Sequence, residues 1–384
     1  MHSKESLKSV LSYLPNKILK RDKGFHEGKY VVDKEVAKDI VAEIINDVKE
    51  RNVPTFEINP GIGILSKELL SAGVNNLHLC ESSTSDTFFQ QIEKILIDFP
   101  SQVKYVQQNL LALYKLTYQD KQDGGTRIQQ LLADVSKRNW TDDPVMIIIG
   151  TLPSLALIRH LIHCHIYQTG ILSYGRPELY VIMSPIHYFA LTCGKGASYT
   201  FYRSLSVLFQ LIFQFSVLRK LPRNAFLPWE GNYSHKKHPQ LSKLRALDQD
   251  YLYLVKIVPH QDFFQRVVKP EELHQFWFFI WYHMVSRKNR VITQLEKWIP
   301  GCGPRLIAND ITIYTEFGEL SPHQILSLFH EFSTWPEYRE SSFFTSMDST
   351  LMVMEQSGGE LMKIIVKDDD VEGETAVELQ ETER

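Results

Sequence analysis

Between residues 54 and 259, short apolar runs alternate with stretches of helical periodicity, and this alternation constrains the fold more than anything else in the chain. Parallel strands cannot be joined by tight turns. Each needs a crossover, and helices fill the crossovers on both faces of the sheet. The pattern predicts strands at 55–58, 77–80, 104–106, 145–149, 179–183, 213–218 and 251–258. The stretch 115–143 is long, polar and interrupted by Gly124-Gly125, and reads as an insertion in a strand-to-strand connection. After residue 259 the strand signal stops. Helical periodicity at 270–285, 290–298 and 322–332, broken by Pro300-Gly301 and Gly303-Pro304, predicts a small helical domain over 260–345. Residues 346–384 are then a C-terminal extension, with one further strand or helix over 351–366 and a disordered end.

That end is acidic. Residues 367–384 carry eight acids and two bases, so the net charge of −3 conceals a slightly basic body. Within it, 151–247 hold eleven Lys or Arg against Glu178 and Glu230 alone, which suits either a polyanion partner or a solvated basic face. The first 21 residues contain five Lys or Arg and one acid, with Leu7, Leu11, Leu14 and Ile18 on one helical face. Residues 1–23 therefore read as a mitochondrial presequence or as an N-terminal surface helix. No apolar run reaches membrane-spanning length, and the four scattered cysteines indicate neither a disulfide framework nor a zinc site. A reducing compartment fits them.

The strongest local motif is FEINPGIGILSKELLSAG, 56–73. A strand runs into Glu57, the chain turns through Pro60-Gly61-Ile62-Gly63, and a helix begins near Ile64. Glycines permit close backbone approach to a ligand, and a helix N-terminus favours acceptor-rich groups, although tight strand–helix turns also need glycine for purely structural reasons. Glu81 lies 18 residues beyond Gly63, at the end of the second strand, where a carboxylate can accept both hydroxyls of a ribose. This is a nucleoside site. A single GxG with no third glycine, preceded by Glu57, favours S-adenosylmethionine over a dinucleotide.

The segments KGFHEGKYVVD (23–33), EINPGIGIL (57–65), IIIGTLPS (147–154), SLSVLFQL (204–211) and AFLPWEGNYS (225–234) together resemble the rRNA adenine-N6,N6-dimethyltransferases over residues 24–300. The resemblance implies a seven-stranded, Rossmann-like class I methyltransferase domain over 24–259, its last two strands an antiparallel hairpin at one edge. It implies methyl-donor contacts at Val31, Glu57, Gly61, Gly63, Glu81 and Asn109, and a flipped-out adenine as acceptor. Family members end the fourth strand in an Asn-Leu-Pro-Tyr-type loop, whose amide and ring hold the base. Here the loop is Thr151-Leu152-Pro153-Ser154, with Thr for Asn and Ser for the aromatic, and Asn109 stands where the family usually has Asp. Unstacking a base costs a few kcal/mol, and this site lacks the groups that recover it. Phe226 remains to supply one stacking face.

Such losses resemble the transcription-specialised second branch of the mitochondrial B-type transcription factors, as do Trp140-Thr141-Asp142, PHQDFFQRVVKP (259–270) and HMVSRKNRVITQLEKWIP (283–300). That likeness implies a matrix protein, monomeric alone, whose partners are the mitochondrial RNA polymerase and promoter DNA, with rRNA the partner of an active enzyme. Arg287, Lys288 and Arg290 match the family's basic cluster. Lys236, Lys237, Lys243 and Arg245 form a second one, beside Phe226, Trp229 and Tyr233, which read equally as stacking or as core aromatics. Two further clusters carry no site: the His160–His165 run lacks convergent metal ligands, and the seven-residue aromatic run 276–282 fits a buried helix.

Overall fold

A computed structural model describes residues 29–81, 86–197, 201–228, 248 and 250–356. The N-terminal arm, the acidic tail, Lys236, Lys237, Lys243, Arg245, Trp229 and Tyr233 lie outside the described residues.

Among the described residues, nine strands form two sheets. β1 (Tyr30–Val31) and β8 (Phe226–Leu227) make a short antiparallel ladder. The other seven are β2 (Thr55–Ile58), β3 (Leu77–Cys80), β4 (Val103–Val106), β5 (Met146–Thr151), β6 (Pro177–Met183), β7 (Phe213–Pro222) and β9 (Tyr251–Pro259), in the order β4-β3-β2-β5-β6-β9-β7. The first five of that order are parallel, and β9 runs antiparallel to both β6 and β7. This is the class I methyltransferase sheet, with the antiparallel pair at one edge as the resemblance implies. All seven main strands fall where the alternation places them; β1 and β8 are two residues each, too short for a periodic signal.

The sheet's two faces follow the period of two. On β5, Ile147 and Ile149 pack with Ile40, Ile44, Leu65, Leu69 and Ile92 of the helices on one side. Met146 and Ile148 pack on the other side with Leu161, Phe209 and Leu211. The helix Lys34–Arg51 starts where Asp33 accepts from the N–H groups of Glu35 and Val36 at 2.9 and 3.2 Å, and ends at Asn52 in the left-handed region. It is fastened to the sheet by the fully buried Glu178, which takes Arg51 at 3.1 Å and Lys256 at 2.7 Å.

The helices beyond residue 259 share the second of these cores. One continuous buried cluster runs from Phe56 and Ile148 through Phe209 into Phe279, Trp298, Phe329 and Phe343. The aromatic run lies on the helix Leu273–Val285, with Phe276 to Ile280 buried. No helix among the described residues is long and apolar enough to cross a membrane. The connection 115–143 is packed as well as polar: its part of the helix Leu113–Asp123 and the helix Arg127–Leu131 bury Leu116, Ile128 and Leu131, and Leu132 and Val135 follow them into the core. The helix Ser342–Gln356 crosses the expected domain boundary at 345 and begins well before the expected 351.

Two of the segments that resemble the second branch meet at the sheet's N-terminal edge. Trp140 Nε1 donates to the His260 carbonyl at 2.9 Å. Arg176 donates to the carbonyls of Trp140, Asp142 and Pro259 at 2.7, 2.6 and 3.1 Å. Beside them the His160–His165 run forms part of the helix Ala156–Tyr167, packed inward. Burial pushes His160 and His165 down to about 3, so both are neutral imidazoles. His165 is enclosed by Trp140, Phe263 and Phe264.

Candidate nucleoside and nucleic-acid site

The C-terminal edge of the parallel strands is where ligands bind in open α/β sheets. Here β2 ends at Ile58, and Asn59, Gly61 and Gly63 all adopt left-handed backbone angles, with φ of 53°, 57° and 74°. The turn closes as the Gly63 N–H donates to the Pro60 carbonyl at 2.8 Å, and the helix Ile64–Ser71 leaves from Gly63. A Cβ on Gly61 would stand 2.6 Å from Tyr30 Cδ1, and one on Gly63 would stand 2.1 Å from Ile95 Cδ1. The left-handed backbone at both positions, and the Tyr30 ring against Gly61, thus favour glycine whatever ligand the turn receives.

Two carboxylates converge on this turn. The Gly61 N–H donates to Glu81 Oε2 at 3.3 Å, and Glu81 is 2% exposed at the end of β3. Glu57, 1% exposed, has its Oε2 without a hydrogen-bond partner among the described residues. Burial pushes its carboxyl up to about 8, and the Glu81 charge adds to the shift. A buried acceptor without a donor, beside a second carboxylate, fits a ligand bearing hydroxyls and positive charge. S-adenosylmethionine has both, in its ribose and in its sulfonium and ammonium groups. The chemistry of the donor set thus fits the methyl donor.

Val31 and Asn109, the other expected donor contacts, each have a role in the protein's own structure. Val31 is buried in β1 opposite Phe226, where its backbone builds the ladder. Asn109 uses its side-chain carbonyl to accept from the Leu111 N–H at 2.9 Å, which caps a short 3₁₀ turn after β4. Phe226, which reads from the sequence as either a stacking ring or a core aromatic, is 2% exposed and packs in the core, where its strand pairs with β1.

The loop after β5 is tied on both sides. The Thr151 hydroxyl donates to the Lys29 carbonyl, Asn59 Nδ2 lies 3.5 Å from the Thr151 carbonyl, and the Leu152 N–H donates to the Ile182 carbonyl at 2.8 Å. Ser154 Oγ accepts from the Ala156 N–H at 3.4 Å, starting the next helix. Pro153 and Ser154 are partly exposed; Leu152 is fully buried.

The basic cluster at the helix junction divides. Arg287 is 7% exposed, and donates to the carbonyls of Tyr202 at 2.8 Å and Ala197 at 3.3 Å. The expectation that it contacts phosphate is corrected: both terminal nitrogens of its guanidinium face inward to these carbonyls. Lys288 and Arg290 are exposed.

Residues 20–334 match the family model for ribosomal RNA adenine dimethylase. The chain belongs to that family. Among curated relatives of this chain, the mitochondrial dimethyladenosine transferase 2 of Drosophila melanogaster is 35% identical, over 90% of this chain and 84% of its own length. The protein of that name from Homo sapiens is 24% identical, over 71% of this chain and 69% of its own. Among solved structures, the 23S rRNA methyltransferase ErmE aligns at 13% identity with a TM-score of 0.46, over 78% of this chain and 98% of that one. The sequence places the motif-bearing residues of this chain but does not single out Tyr30, Asn59 and Ile95 around the turn. The Asn-Pro-Gly sequence was a turn signal for Asn59; nothing local marks the other two.

Proposed function

We propose that this chain is a mitochondrial transcription initiation factor on a dimethyltransferase scaffold. It acts in the matrix as a monomer that binds the mitochondrial RNA polymerase and assists promoter melting, with methyl transfer weak or lost. The observation that carries this reading is the state of Thr151. A target-base loop must aim a side-chain acceptor at the adenine amino group, and here the Thr151 hydroxyl is turned away to the Lys29 carbonyl. Ser154 supplies no ring for stacking. The names of the mitochondrial relatives support the compartment.

Bound S-adenosylmethionine would supply an electrophilic methyl group on its sulfonium. Glu81 would accept the ribose hydroxyls, and Glu57 would present its unpartnered oxygen to a donor. Because Glu57, Gly61, Gly63 and Glu81 are all present, a second reading has specific support: an active rRNA adenine-N6,N6-dimethyltransferase of the mitochondrial small ribosomal subunit.

Two assays on the purified protein separate the readings. One supplies labelled methyl donor and a small-subunit rRNA hairpin. The other measures initiation by the mitochondrial RNA polymerase on closed and pre-melted promoters. The expected result is little methylation, with stimulation on closed duplex that a pre-melted bubble makes unnecessary. Robust dimethylation without any effect on initiation would overturn the first reading in favour of the second.

A further inference from the structure

In the helical region an exposed aromatic ring lies under an arginine. Residues 287–291 and 315–318 run side by side. The Val291 N–H donates to the Thr315 carbonyl at 2.9 Å, the Phe317 N–H to Asn289 at 3.1 Å and the Gly318 N–H to Arg287 at 2.8 Å. With the Arg287 side chain held inward by two carbonyls, this ladder fixes the backbone from which the exposed Lys288 and Arg290 emerge.

The turn that leads into the ladder is also fixed. The Thr312 N–H donates to Thr315 Oγ1 at 3.0 Å, the Tyr314 N–H to Thr312 Oγ1 at 3.3 Å, and the two threonine hydroxyls lie 2.9 Å apart. On it Ile313 is 52% exposed and Tyr314 is 68% exposed. The Arg290 guanidinium sits 5.3 Å from the centroid of the Tyr314 ring. A flat ring backed by a cation, on a turn that needs no further ordering, is the arrangement on which an unpaired base stacks. Asp310 and Glu319, both exposed, and Glu316 lie on the same segment. They oppose a duplex, whose phosphates would run past them, more than a single inserted base with its phosphate toward Lys288 and Arg290.

We propose that Tyr314, with Arg290 and Lys288, is a stacking site for an unpaired base of single-stranded nucleic acid. It rests on the reading that the protein assists promoter melting, and it names an element that would hold a separated strand without regard to sequence.

The test is fluorescence anisotropy of the full chain with a labelled oligothymidylate and with a duplex of equal length, at fixed salt. Tyr314→Ala should weaken single-strand binding about 5- to 100-fold, Tyr314→Phe should retain it, and duplex binding should be unchanged in both. Equal single-strand affinity in wild type and Tyr314→Ala would overturn the stacking site alone. So would an equal loss on single strand and duplex, since the residue would then not read an unpaired base. Absence of single-strand binding by the wild type would overturn the stacking site together with the strand-holding function. Unchanged melting temperatures would establish that the variants are folded.

Discussion

Arg287 Nη1 donates to the main-chain carbonyl of Tyr202 at 2.8 Å, joining the helical region to the segment that precedes the helix Ser204–Ile212. Tyr202 returns the contact: its hydroxyl donates to the Leu320 carbonyl at 2.6 Å. The two residues act as a strut between the halves of the chain.

Arg287→Gln should therefore behave as a stability variant. Hydrogen bonds from a charged donor contribute about 1.5–3 kcal/mol, so a loss of roughly 2–3 kcal/mol in urea denaturation is expected. The salt slope of DNA binding should not change. Lys288→Ala should do the reverse, leaving stability intact and reducing the slope by about one unit. A reduced slope in Arg287→Gln with unaltered stability would return that residue to the nucleic-acid surface.

Glu57 gives the fold a pH dependence. Its ordinary value of 4.5 is raised to about 8, chiefly by burial. Between those values the native state keeps a proton that the unfolded chain has released. Stability should consequently fall as pH rises through the window, by at most about 1.4 kcal/mol per pH unit from this group. Glu57→Gln should flatten the dependence and be the more stable protein at pH 8. Parallel stability curves for the two proteins at pH 5, 6.5 and 8 would refute the assignment.

Glu81 should face the ribose of a bound nucleoside. Isothermal calorimetry with S-adenosylmethionine should show Glu81→Ala weaker by at least about tenfold, the loss of charge-assisted hydrogen bonds. If both proteins bind equally, the ribose lies elsewhere; if neither binds, the pocket has lost its ligand.

Thr151→Val removes the donor to the Lys29 carbonyl. Its cost should be about 1 kcal/mol, and Thr151→Ser should avoid it, as read by thermal denaturation. Equal melting temperatures for the Val and Ser variants would show that the bond does not hold the loop.

The sequence by itself determined the sheet, the glycine turn and the two carboxylates. Each of these is a local signal: a period of two, a turn chemistry, and an acid at the end of an apolar run. The same reading registered the loss of Asn and of the aromatic from the loop at 151–154, because an absent functional group is visible in composition alone. Only the tertiary structure decided where Arg287, Thr151 and Phe226 point. Arg287 and Lys288 are adjacent and equally basic in sequence, yet one is buried because carbonyls from Ala197 and Tyr202, some 90 and 85 positions away, meet its guanidinium. Thr151 is turned from the site by Lys29, 122 positions earlier, and Phe226 is enclosed because its two-residue strand finds β1. Likewise, Trp140 and His260 read as separate motifs until the chain brought them into one hydrogen bond. The physical reason is common to all four: desolvating a polar or aromatic side chain depends on partners that arrive only when distant segments pack, and no local pattern encodes them.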